Sequence, residues 1–229
     1  MENSSQNKSS AKLVGALFII GSVAGVLSLV FAGNIFSDTV TFASISANRL
    51  RIVTGVIFVL IMAFSLAMVP IVLYPLIKKT HPRLALGSVV FRGALETANY
   101  IIVAVIWLLL VWIVDHGQLN QIADTNTLLM FRHVLQDLNT LFGQMVSLAF
   151  SIGTFMMYYC FFKTKLLPSW LSLWGVFGAI LYFSCPILYL YSINLGLLMS
   201  PLAIQEIFMG FWRTRGGNCE DSKEIVINN

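Results

Sequence analysis

Three ionisable residues, Arg92, Glu96 and Glu206, stand inside long apolar runs, and their types and spacing suggest ion-pair or proton chemistry. A charged side chain at the centre of a helix in lipid costs about 2.5–3.5 kcal/mol on insertion scales, so it normally faces the interior of a bundle and has a partner. Ser88, Arg92, Glu96 and Asn99 follow i, i+4, i+8, i+11, which places them along one face of a straight helix. At a rise of ~1.5 Å per residue from Leu84, Arg92 lies about 12 Å deep and Glu96 about 18 Å deep. Counting back from Arg213 puts Glu206 roughly 10 Å from the same surface, with Gln205 beside it. The expectation is an Arg92–Glu206 salt bridge between two helices, extended by Glu96 into a Glu–Arg–Glu cluster. One cation against two carboxylates leaves room for a shared proton, so the cluster is read either as a proton- or ion-handling site or as a structural pin of helix register. In the first reading Pro70, Pro75, Tyr74, Tyr158 and Tyr159 line a vestibule.

The elements that must position this cluster are membrane helices. Of 229 residues, 58% are hydrophobic and 10% charged, against about 25% charged in ordinary soluble domains. Mean hydropathy is +0.83. Apolar runs reach the roughly 20 residues that a bilayer crossing needs. The chain is therefore expected to be all-α, a polytopic membrane protein with six transmembrane helices in a single bundle. The spans are placed at residues 13–33, 52–77, 84–114, 141–162, 170–190 and 194–212, after a polar start at 1–12 and before a mixed-charge tail at 213–229. The first run is longer than the 7–15 residues of a signal-peptide core and is read as retained. Pro70 and Pro75 are expected to kink the second span.

Basic residues set the expected orientation. Lys8, Lys12, Lys78, Lys79, Arg83, Lys163, Lys165, Arg213, Arg215 and Lys223 fall on one side, and only Arg49, Arg51 and Arg132 on the other. That asymmetry implies both termini inside, N-in/C-in. The net charge of +4 is spread over short segments beside apolar runs, so a lipid bilayer is the expected partner and nucleic acid is not. Tyr74, Tyr158, Tyr159, Trp107, Trp112, Trp170 and Trp212 suit either interfacial belts or helix packing.

The weaker signals each have a plain structural role beside the functional one. Gly21-x-x-x-Gly25 is read as intramolecular packing, with a homo-oligomer seam as the alternative. The stretch Leu128, Phe131, Leu135, Leu138, Phe142 reads as an amphipathic helix on the outer surface or as an extension of span four. His133 with Asp137, and Asp115 with His116, do not select a metal, and no metal or cofactor is expected. His81 is read as solvated. Cys160, Cys185 and Cys219 are read as free thiols, with acylation of Cys160 or Cys219 the alternative. Ser184-Cys185-Pro186 marks a kink, since no membrane histidine stands near to activate a nucleophile.

Several stretches taken together resemble a known family. Gly15-Ala16-Leu17-Phe18-Ile19-Ile20-Gly21-Ser22-Val23-Ala24-Gly25 is followed by Leu73-Tyr74-Pro75-Leu76-Ile77-Lys78-Lys79 and by 84–92 with Glu96. Then come Met157-Tyr158-Tyr159, Leu167-Pro168-Ser169-Trp170 with Gly175 and Gly178, and Pro201-Leu202-Ala203-Ile204-Gln205-Glu206 with Trp212. Their order and spacing are similar to the bacterial multi-pass membrane family catalogued as domain of unknown function 4386, over nearly the whole chain. The resemblance implies a six-helix integral protein of a bacterial cytoplasmic membrane and implies no activity. The family often carries Arg where Ser169 stands here, so any role of that arginine is not carried over. Three function classes therefore stand open. The first is a non-catalytic membrane component that binds a small ligand, lipid or protein partner. The second is a small proton-coupled transporter using Arg92, Glu96 and Glu206, and the third is a lipid-modifying membrane enzyme with a glutamate as acid or base.

Overall fold

The computed structural model describes residues 2–37, 39–119 and 124–214. The described residues form helices joined by short turns, with no strand among them, in the order α1 (Glu2–Ala32), α2 (Phe42–Ala47), α3 (Arg49–Ile77), α4 (Pro82–Ser88), a π-helical segment (Val89–Leu95), α5 (Glu96–Leu119), α6 (Thr125–Thr164), α7 (Ser169–Leu190), a 3-10 turn (Gly196–Met199) and α8 (Ser200–Thr214). Five helical stretches are long and apolar enough to cross a membrane: Lys12–Ala32, Arg49–Ile77, Pro82–Gly117, Thr125–Thr164 and Ser169–Leu190. The distal tail from Arg215 onward, with Cys219 and Lys223, lies outside the described residues.

Small residues decide where the helices touch. A Cβ on Gly21 would meet Leu66, one on Gly25 the Met62 sulfur, and one on Gly55 the backbone N of Ala32 at 2.8 Å, so α1 lies against α3 along its length. The Gly-x-x-x-Gly face is thus used inside the molecule. On α7, Gly175 carries the Tyr158 ring of α6 and Gly178 carries Leu202 of α8. Tyr158 is buried in the main core with Val14, Phe18, Leu73, Phe161 and Leu171, and its hydroxyl meets the Met209 sulfur at 3.4 Å. It is therefore core and does not line a vestibule. Pro70 and Pro75 are carried within α3, which remains helical through both.

Three boundaries differ from the sequence expectation. First, span four is the second half of one 40-residue helix, about 60 Å long, so the amphipathic stretch extends the span. That is twice a ~30 Å hydrocarbon core, more than ordinary tilts near 20° absorb. Asp124 caps this helix, accepting from the Thr127 hydroxyl and from its N–H at 3.2 Å. Those two bonds hold the Asp124 carboxyl below its ordinary value, so the charged cap persists through neutral pH and is lost only as pH falls through that lowered value.

Second, the segment after α1 is an ordered cover. Thr41 caps α2, whose Ile45 is 1% exposed and joins a second core with Ile35, Phe36, Leu110, Val114 and Leu135. Arg132 of α6 holds this cover. It is buried, donates to the carbonyl of Val40 at 2.9 Å and to that of Ser37, and lies 5.9 Å from the Phe42 ring. Charged hydrogen bonds are worth about 1.5–3 kcal/mol each, so Arg132→Ala is expected to free the 33–48 segment. Faster hydrogen exchange confined to the amides near Val40 and Ile45 checks this, and unchanged exchange there counts against it.

Third, the expected sixth span is a shorter helix, 15 residues long, that is not among the five of crossing length. Residues 194–195 are irregular, the 3-10 turn occupies Gly196–Met199, and the α-helix starts only at Ser200, where the expected span ran from 194. Pro201 suits the first turn of a helix, where its missing N–H is no loss.

Candidate functional site

Arg92 lies in the π-helical segment between α4 and α5, a wide-turned irregularity of the kind that recurs at functional sites. Its side chain has no solvent exposure. Nη2 lies 2.7 Å from Glu206 Oε1 of α8, and Nη1 donates to the Thr154 hydroxyl of α6. The guanidinium carbon stands 4.6 Å from the Phe150 ring centroid and 5.4 Å from that of Phe18, so two aromatic rings flank the cation. A desolvated cation–π contact contributes about 2 kcal/mol, which offsets part of the burial cost. Four helices thus meet on one guanidinium: α1 through Phe18, α6 through Phe150 and Thr154, α8 through Glu206, and the π segment itself.

The close approach of α6 has a sequence cause. A Cβ on Gly153 would stand 2.7 Å from Arg92 N and 2.8 Å from Arg92 Cβ, so only glycine lets the two backbones come this near. Ser147, Ser151 and Thr154 form a buried stripe of small polar residues on the same helix, at i, i+4, i+7. That spacing is readable in the sequence, and it is the signal that would have found Thr154.

Glu96 is buried at 2% exposure and close enough to feel the charges of both Arg92 and Glu206. Its Oε2 has no hydrogen-bond partner among the described residues. Gln205 is fully buried beside Glu206, and its amide donates to the Leu171 carbonyl of α7 at 3.3 Å. Ser88 is buried and donates to the Ala85 carbonyl of its own helix at 2.8 Å. Asn99 is not brought to the cluster. Its amide donates back to the Leu95 carbonyl at 2.8 Å on an exposed stretch. The i+11 spacing assumed a straight α-helix, and the π turns between Val89 and Leu95 rotate every later residue away from that register.

At the far end of the bundle the expected histidine–carboxylate groupings take structural roles. Asp115 accepts from the Ser46 hydroxyl at 2.7 Å and pairs with Arg49 at 3.5 Å, while His116 stacks on Trp112 with centroids 4.4 Å apart. His133 and Asp137 are both exposed. The Cys160 and Cys185 thiols are free and buried. Ser184 and Cys185 both lean on the Leu181 carbonyl above Pro186.

Apolar helices of crossing length, closed around a buried guanidinium–carboxylate cluster, define a helical protein of the membrane-spanning type. The chain belongs to the family described as domain of unknown function (DUF4386), whose model matches residues 13–213. It matches no curated protein and no solved structure.

Proposed function

We propose that this is an integral protein of the bacterial cytoplasmic membrane that crosses six times, keeps both termini in the cytoplasm and works by binding a ligand or partner rather than by turnover. In this reading the Arg92–Glu206 pair is a latch that holds the last helix in the bundle. The 3-10 turn adds about 8 Å to the roughly 22 Å of α8, which brings the sixth segment to the ~30 Å of a hydrocarbon core. Leu202 beside Gly178 and Gln205 beside Leu171 make α8 antiparallel to α7, consistent with a final return to the side of the Lys163–Lys165 turn. Lys78 over the Tyr74 ring and Lys163 over the Tyr159 ring, at 5.4 and 5.7 Å, suit an interface at that end.

The observation that carries the latch reading is the enclosure of Arg92, which is fully buried, ion-paired to Glu206, bonded to Thr154 and flanked by the Phe18 and Phe150 rings, with only its Nε left without a polar contact among the described residues. It is tested in a chain with its native cysteines changed to alanine and Leu202, which is fully buried, changed to cysteine. Adding Glu206→Gln is expected to speed maleimide labelling at that position by about tenfold, the result of a latch worth about 1.4 kcal/mol. Equal rates count against it.

Proton-coupled permeation is favoured by one specific observation, the buried second carboxylate whose Glu96 Oε2 is unpartnered among the described residues. It requires that liposomes holding the protein dissipate a pH gradient faster than empty ones, and that Glu96→Gln abolish the difference. Wild-type liposomes no leakier than empty ones remove it.

A further inference from the structure

Between about 20 and 36 Å along the third crossing from Arg92, a groove of about 360 Å³ opens between α3 and α5. Its wall is apolar, made by Val53, Val105, Leu108 and Trp112, and its rim carries Arg49, Asp115 and His116. Height explains the division. Gly55 meets Ala32, the last residue of α1, so Val53 and the lower wall stand where the shortest of the five crossings ends. From Val105 to His116 the wall climbs a further ~16 Å, through the depth at which headgroups replace acyl chains.

The rim's one carboxylate is already occupied. Asp115 is almost covered, its side chain 10% accessible, and its oxygens are taken up by Ser46 and Arg49. Arg49 reaches it through Nε at 3.5 Å and is 65% accessible. The largely accessible Arg49 side chain also lines the apolar slot. A planar donor fork of this kind matches a phosphate bidentately.

We propose that this groove is a specific site for one membrane glycerophospholipid, with an acyl chain along Val53 and Val105 and the phosphodiester on the Arg49 guanidinium. The site is separate from the Arg92 cluster and stands whether or not the latch reading does. Trp112, 56% exposed and stacked on His116, forms the side wall at the headgroup level, where tryptophan is favoured. The phosphodiester is common to anionic and zwitterionic lipids, so both are accepted.

The test is native mass spectrometry of the full-length detergent-purified protein after incubation with phosphatidylglycerol or phosphatidylcholine. One retained lipid per chain is expected, with either lipid. Arg49→Gln is expected to weaken retention by about tenfold or more, the loss of a bidentate charged contact. Val105→Trp, at a position 54% exposed and so tolerant of size, fills the slot and is expected to abolish retention even if Arg49→Gln alters the rim. Lys78→Gln, at the opposite end, is expected to leave retention unchanged. The proposal is overturned if wild type retains no lipid, if both groove variants retain it as wild type does, or if Lys78→Gln loses it equally.

Discussion

Arg92→Ala is expected to destabilise the bundle by about 3–5 kcal/mol, the usual cost of removing one partner from a buried ion pair and stranding the other. Glu206 is left without its cation, and the Thr154 hydroxyl and the Phe18 and Phe150 rings lose the group they surround. The measurement is unfolding in mixed micelles, with accumulation in membranes as a second readout. Adding Glu206→Gln to Arg92→Ala is expected to recover part of the loss, because the stranded charge goes with its partner. A coupling below about 0.5 kcal/mol would mean that the pair is not the tie between the π segment and α8. Arg92→Lys is expected to fall between, since a single ammonium cannot serve Glu206 and Thr154 as a planar fork does.

Gly153→Ala is the second large effect, and its sign comes from two opposed contributions. Alanine in a helix interior gains about 1 kcal/mol over glycine. The added methyl, however, would lie 2.7 Å from Arg92 N, and backbone cannot swing aside as a side chain can. Overpacking of this kind costs about 1–3 kcal/mol, and pushing α6 away also draws Thr154 off the guanidinium, so a net loss is expected. Gly25→Ala is the control. Its methyl meets only the flexible Met62 sulfur at 2.9 Å, which turns away at little cost, so its thermal midpoint is expected to stay near wild type. Equal midpoints for the two variants would show that the α6 contact with Arg92 is not tight.

Five apolar runs, the buried cluster residues and the return of the last helix toward Arg92 were legible because each rests on a local quantity. Hydropathy over ~20 residues marks a crossing, the cost of a lone charge in lipid marks a residue that needs a partner, and rise per residue marks its depth. Asn99 was misplaced because periodicity assumes one helical geometry, and nothing local in residues 89–95 announces a π turn. Arg132 counted as an outer charge and proved to be a buried staple, since its carbonyl partners at Ser37 and Val40 lie more than ninety positions away along the chain. The length of α6 was split in two because its polar first half and apolar second half differ in composition while sharing one unbroken backbone ladder.

What this sequence determined by itself is therefore the solvent of each segment, because transfer free energy adds up residue by residue and needs no neighbours. Which side chains meet was decided only by tertiary structure. Lipid gives helices no hydrophobic reason to associate, so contact depends on where a missing Cβ at Gly153 or Gly55 lets one backbone reach another, or at Gly175 admits a ring, and on which cation that approach encloses.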